Sequence, residues 1–182
     1  MKAPVAILLA ALATTIVLAQ QPPQRFGIGR PATDAEIKAE DIDIGPDGAG
    51  LPAGKGSAAE GATVYAAKCA QCHGKTGKEG PNDVLVGRGA FPSGADTTSR
   101  RTIGNYWPYA TTVFDYIRRA MPSPAPGTLK DDEVYALAAF LLAENEIIPR
   151  DAVLDAATLR KVVMPARDKF VADSRNEKRK KQ

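Results

Sequence analysis

The sequence predicts a mainly α-helical fold. Two apolar stripes at helical period lie late in the chain, a capping signature at Ser57 opens an earlier helix, and no stretch alternates at strand period for long. At 182 residues the chain has room for one ordinary domain with extensions.

The elements follow in order. Lys2 precedes an uncharged, mostly apolar run from Ala3 to Ala19, and Val17-Leu18-Ala19 offers the small residues of a cleavage site. Residues 1–19 therefore read as a secretory signal. A retained anchor is the competing reading, but Gln20-Gln21-Pro22-Pro23 ends the run short of the ~20 apolar residues that a span needs. No later segment is long and apolar enough to span a bilayer, so the mature chain is expected to be soluble and exported. Residues 20–56 are rich in Pro, Gly and Asp, and are too poor in apolar side chains to fold alone. Thr33-Asp34-Ala35-Glu36 opens one short helix there, and Gly45-Pro46-Asp47-Gly48 is turn chemistry. This segment must lie along its own domain or along a partner.

The domain proper spans residues 57–148. Ser57-Ala58-Ala59-Glu60 is a second capping box, and its helix can run through Val64 and Tyr65. Residues 74–110 hold many Gly, Pro, Ser and Thr and no convincing strand. So long an irregular stretch suits a compact domain only if it wraps something other than itself. Val113, Tyr116, Ile117 and Ala120 then recur at i, i+3, i+4 and i+7, with Pro122 as the stop. A last helix begins near Lys130 or Asp131 and buries Val134, Leu137, Ala138, Leu141 and Leu142, ending before Pro149. Residues 149–172 form an extension in which Asp155 caps a short helix through Leu159. Residues 173–182 carry five Lys or Arg against two acids and read as a disordered basic tail. Without the tail the mature chain is close to neutral. Nor does the tail interleave aromatics with its cations, which argues against nucleic-acid binding.

The chemistry concentrates at Cys69-Ala70-Gln71-Cys72-His73, which holds both cysteines and the single histidine. C-x-x-C-H is the pattern of covalent c-type haem attachment. Thiols about one helical turn apart can each add to a haem vinyl group, and the histidine is placed to ligate iron. Other readings fare worse. A thioredoxin-like pair wants a βαβ pattern, a zinc site needs four ligands, and a small disulfide leaves His73 unexplained. One motif implies one covalent haem c. With a single histidine, bis-histidine ligation is impossible, and methionine is the remaining strong-field ligand. Met121, in the loop before the last helix, is the favoured candidate. Met164, in the extension, is the alternative.

The order helix, C-x-x-C-H, long loop, helix, Met loop, amphipathic helix resembles class I c-type cytochromes across Ser57 to about Ile148. That resemblance implies an all-α cytochrome c fold with long haem-wrapping loops and irregular N- and C-terminal extensions. It implies further that the Pro81 carbonyl in Gly80-Pro81-Asn82 accepts the His73 Nδ1 proton. Trp107 is either a donor to a haem propionate or a core residue, with Tyr109 or Arg88 assisting in the first case. Gly61 and Tyr65 match the face that crosses the last helix, where a glycine permits close approach. Stretches outside the haem-enclosing part are similar to the cytochrome subunit of sulfite and sulfane dehydrogenases of sulfur-oxidising bacteria: Gly27-Ile28-Gly29-Arg30-Pro31-Ala32-Thr33, Asp41-Ile42-Asp43, Gly50-Leu51-Pro52 and Met164-Pro165-Ala166-Arg167-Asp168. So is Gly104 to Pro122. The family's usual Thr before the last helix is Lys130 here.

The resemblance implies periplasmic one-electron transfer through His73/Met121-ligated iron. Electrons would come from a molybdenum-containing dehydrogenase subunit and leave to a cytochrome c or an oxidase. The chain would not be catalytic by itself. The residues and extension 20–56, together with the Met164 region, are the expected partner contacts. A free-standing soluble shuttle is the alternative, and a haem enzyme or gas sensor would require Met121 to leave the iron.

Overall fold

The computed structural model describes residues 27–93 and 98–171. The expected signal segment and the basic tail lie outside the described residues. The chain divides into two compact units at the Asp41–Ile42 boundary.

The first unit contains helix α1, Asp34–Glu40. Its capping box forms as the sequence predicts: Thr33 N–H donates to Glu36 Oε2 at 2.8 Å and Glu36 N–H to Thr33 Oγ1 at 3.3 Å. Arg30 Nη1 adds a 2.8 Å bond to the same carboxylate. The Arg30 guanidinium and then the Thr33 donors hold the Glu36 carboxyl down at about 2. The helix buries none of its residues, and Ile28 and Ile37 stand 91% and 54% exposed.

The second unit is built from β1 (Lys55–Ser57), α2 (Ala58–Lys68), α3 (Ala70–His73), α4 (Ala110–Ala120), α5 (Asp131–Glu144), β2 (Val153–Asp155), α6 (Ala156–Leu159) and a 3-10 turn at Arg167–Lys169. The fold is mainly helical. Among the described residues the β content is one antiparallel ribbon in which β1 pairs with β2, Gly56 opposite Leu154.

Helix α2 starts at the expected Ser57–Glu60 box, with Ser57 N–H on Glu60 Oε2 at 2.8 Å and Glu60 N–H on Ser57 Oγ at 3.2 Å. Its contact with α5 is the most extensive between helices. Gly61 makes it possible: a Cβ there would sit 1.9 Å from the Ala136 carbonyl oxygen, inside any van der Waals distance. The same crossing brings the Tyr65 and Phe140 rings to 5.0 Å and the Lys68 ammonium to 2.7 Å from Glu133 Oε1. Lys130 precedes α5 without a capping oxygen of its own, and its backbone N–H goes to Glu133 Oε2 at 2.9 Å. Val134, Tyr135, Leu137, Ala138 and Leu142 from α5 are almost completely buried, and with Val113, Phe114 and Tyr65 they form the core. Asp155 caps α6 as expected, accepting from Ala157 and Thr158 N–H at 2.9 and 2.8 Å.

Residues 42–56 lie along their own domain. Ile44 is buried and its N–H donates to Asp115 Oδ1 at 3.1 Å. Pro46 and Pro52 carbonyls accept from Thr111 and Tyr135 hydroxyls at 3.0 and 2.8 Å. Lys55 N–H reaches Asp132 Oδ1 at 2.8 Å. The Met164 region does likewise: Met164 is 2% exposed and belongs to the core. The Met164 side chain is therefore committed to its own domain, while Val163 beside it stands 70% exposed.

Candidate functional site

Helices α2 to α5 and the loop after α3 enclose a cavity of about 1210 Å³. That exceeds the ~300–1,000 Å³ usual for small-ligand pockets and has room for a large flat cofactor. Much of its lining is apolar, with Leu85, Ile103, Val113, Ile117, Leu137 and Leu141 among the residues that form it.

Cys69, Cys72 and His73 reach the cavity from the turn between α2 and the end of α3. Helix α2 closes with Cys69 N–H on the Tyr65 carbonyl at 2.9 Å, and Cys72 and His73 N–H return to the Cys69 carbonyl at 3.1 and 3.0 Å. Both cysteines therefore stand on one short helical turn. They are half-buried and not joined to each other. Burial pushes the Cys69 thiol up to about 11, which keeps it protonated at neutral pH.

His73 Nδ1 lies 2.8 Å from the Asp83 carbonyl oxygen. This corrects the acceptor, which the family pattern assigns to Pro81. The reason lies in how the chain crosses the motif. Gly80 passes so close that a Cβ would stand 2.2 Å from the Cys72 carbonyl oxygen, and Asn82 N–H then bonds that oxygen at 3.0 Å. The Asp83 carbonyl is thus the one delivered to the imidazole, while Pro81 lines the cavity. With Nδ1 donating, Nε2 carries the lone pair and is the nitrogen suited to a metal.

The other walls come from farther along the chain. Met121 ends α4, its N–H on the Ile117 carbonyl at 3.1 Å, and its side chain lines the cavity. Trp107 lines it too, its ring 5.6 Å from that of Tyr116 in an edge contact. Arg88 and Tyr109 are not brought in. Arg88 Nη1 donates instead to the Glu146 carbonyl at 2.8 Å, and the Tyr109 ring lies under Arg167 at 5.6 Å. In their place the loop before Trp107 supplies Arg100, Arg101 and Tyr106. Sequence reasoning missed these three. The signal available was the paired cation Arg100-Arg101 in an otherwise small-residue loop.

Two buried asparagines fix the loop. Asn105 Oδ1 accepts from Thr102 N–H at 2.8 Å, and its amide donates to the Arg100 carbonyl at 3.0 Å. Asn145 Oδ1 accepts from Gly87 N–H at 2.9 Å, and its amide donates to the Leu85 and Leu141 carbonyls at 3.2 and 2.8 Å. Among the described residues no cluster of three or more His, Cys, Asp or Glu could hold a metal ion, so these side chains alone make no metal centre. The donor set of two thiols, one imidazole and one thioether around a large, largely apolar space does fit a haem.

Comparison with known proteins agrees with this geometry. Residues 56–141 match the family described as cytochrome C oxidase, cbb3-type, subunit III. A chain in the crystal structure of the sulfane dehydrogenase SoxCD from Paracoccus pantotrophus is 40% identical, with a TM-score of 0.71. The match covers 85% of this chain and 75% of that one. This chain belongs to the family of that SoxCD subunit. It resembles a non-catalytic subunit of an oxidoreductase complex rather than a standalone enzyme. No curated protein matches the sequence. Among the described residues no helix is long and apolar enough to cross a membrane.

Proposed function

We propose that the chain is the periplasmic electron-transfer subunit of a molybdenum-containing dehydrogenase acting on sulfite or a sulfane sulfur, and that it carries one covalent haem c. The observation that carries this reading is the convergence of Cys69, Cys72, His73 and Met121 on one cavity of haem size.

In this reading Cys69 and Cys72, which both line the cavity, would hold the haem covalently through their sulfurs. His73 would hold the iron through Nε2, while the Asp83 carbonyl accepts its Nδ1 proton and fixes the ring. Met121, at the end of α4, would offer its thioether sulfur to the iron. When bound, the haem supplies one-electron transfer, and a neutral thioether ligand favours the ferrous state and raises the potential. The apolar walls contributed by Leu85, Val113, Leu137 and Leu141 exclude water.

Family membership with a SoxCD subunit supports the dehydrogenase partner. So does the exposure of residues 27–43, where no side chain is used by its own unit for burial. Electrons would leave to another cytochrome c or an oxidase. The test uses the complex: deleting Gln20 to Lys38 should weaken association with the dehydrogenase subunit and leave the haem spectrum unchanged, and undiminished association would refute the partner role of that segment.

One observation favours the free-standing shuttle. Residues 42–56 and the Met164 region brace their own domain, so less of the chain is in excess of haem enclosure than its length suggests. Purification from the periplasm decides between the two. A stable heterodimer whose haem is reduced on adding sulfite or thiosulfate supports the subunit, and a lone chain that stays oxidised supports the shuttle.

A further inference from the structure

The C-terminal extension reaches back to the cavity. Met164 and Ala166, each 2% exposed, pin it to the domain. Arg167 then lies over the Tyr109 ring at 5.6 Å. Phe170 closes the sequence of contacts: its ring meets Tyr106 and Phe91 edge-on, both at 5.4 Å, while those two stack on each other at 5.8 Å. Yet Phe170 remains 43% exposed. The ring therefore packs at the surface on two other aromatics and is not part of the hydrophobic core.

Tyr106 lines the cavity, and the Arg101 guanidinium lies 4.7 Å from its ring centroid. Arg100 lines the cavity beside it. Among the described residues neither arginine takes part in an ion pair. Two guanidinium groups beside a largely apolar space call for an anionic partner, and the planar fork of arginine matches a carboxylate. A haem carries two carboxylate side chains.

We propose that Phe170 is a positioning residue: acting through Tyr106, it holds the Arg101 guanidinium at the cavity wall, where that cation binds a carboxylate of the bound cofactor. The inference rests on the haem reading above. A cation beside the cofactor disfavours the more positive ferric state, so its loss or displacement lowers the reduction potential. The C-terminal extension thereby tunes the potential from outside the part of the chain that encloses the haem.

The test compares midpoint potentials of the full-length, haem-bearing wild type, F170A, F170Y, R101Q and the double variant F170A/R101Q. R101Q is expected to shift the reduction equilibrium about tenfold toward the ferric state, which for one electron is about 59 mV. F170A should shift it about threefold in the same direction, through the loss of its aromatic contact with Tyr106, and F170Y should keep the wild-type value. The double variant should fall no further than R101Q alone, since both changes act on one interaction. A lower melting temperature in F170A with an unmoved potential overturns the inference, as do additive shifts in the double variant. A wild-type chain that matures without covalent haem overturns the haem reading itself and this inference with it.

Discussion

The two ends of the cavity are held by different kinds of contact. At Cys69–His73 the wall is a matter of backbone: successive N–H groups fold onto nearby carbonyls, and Gly80 crosses at a distance no side chain allows. Elsewhere, along Leu85–Gly87 and from Arg100 to Met121, the wall is held by side chains reaching across the chain, such as Asn105 to the Arg100 carbonyl, Asn145 just after α5 to Gly87, and Phe170 to Tyr106. The first kind of wall leaves a sequence motif. The second leaves ordinary residues whose roles depend on what the fold places opposite them.

The largest expected effect strikes the motif. Replacing Cys69 and Cys72 together by serine should abolish covalent haem, read by haem retention after denaturation. Gly80→Ala comes next. Its methyl would meet the Cys72 carbonyl, so the backbone must move, at a cost of about 3 kcal/mol in stability measured by denaturant unfolding. The side-chain wall should be more forgiving. Asn145→Leu leaves Gly87 N–H without its acceptor, while the Leu85 and Leu141 carbonyls keep backbone N–H donors, and should cost about 2 kcal/mol. A loss larger than that of Gly80→Ala would break the contrast between the walls.

The smallest effect concerns the α2–α5 crossing just before the motif. The Glu133 carboxyl is held below the usual carboxylate range, first by the Lys68 ammonium and then by the Lys130 N–H. A carboxyl with a lowered folded-state pKa stabilises above its unfolded pKa, near ~4.3, and that contribution disappears as the pH falls through the folded value. Acid unfolding of Glu133→Gln should therefore be less steep below about pH 4.3 than that of the wild type, with a stability loss of about 1 kcal/mol or less at neutral pH.

Much of this was legible beforehand. Capping boxes at Thr33, Ser57 and the Asp155 cap are local patterns, and each opens its helix where the sequence says. The Gly61 crossing followed from the family resemblance. The division of residues 20–56 was not legible, because nothing local separates Ile28, left exposed, from Ile44, which finds a pocket and a buried carboxylate. The exchange of Arg88 for Arg100 and Arg101 at the cavity was hidden for a similar reason. An arginine's direction is set by its acceptor, and the Glu146 carbonyl that takes Arg88 lies 58 residues away. The shift of the histidine's acceptor from Pro81 to Asp83 reflects a crossing set by Gly80, three residues earlier than the oxygen it delivers.

The most direct test of the central claim pairs denaturation with spectroscopy on the full-length chain matured in a periplasm that attaches c-type haem. The account predicts one haem that stays with the denatured chain, a low-spin six-coordinate spectrum when folded, and a change to an open coordination site in Met121→Ala with the covalent haem retained. Haem that leaves on denaturation, or a folded wild type already open at one axial position, would contradict it.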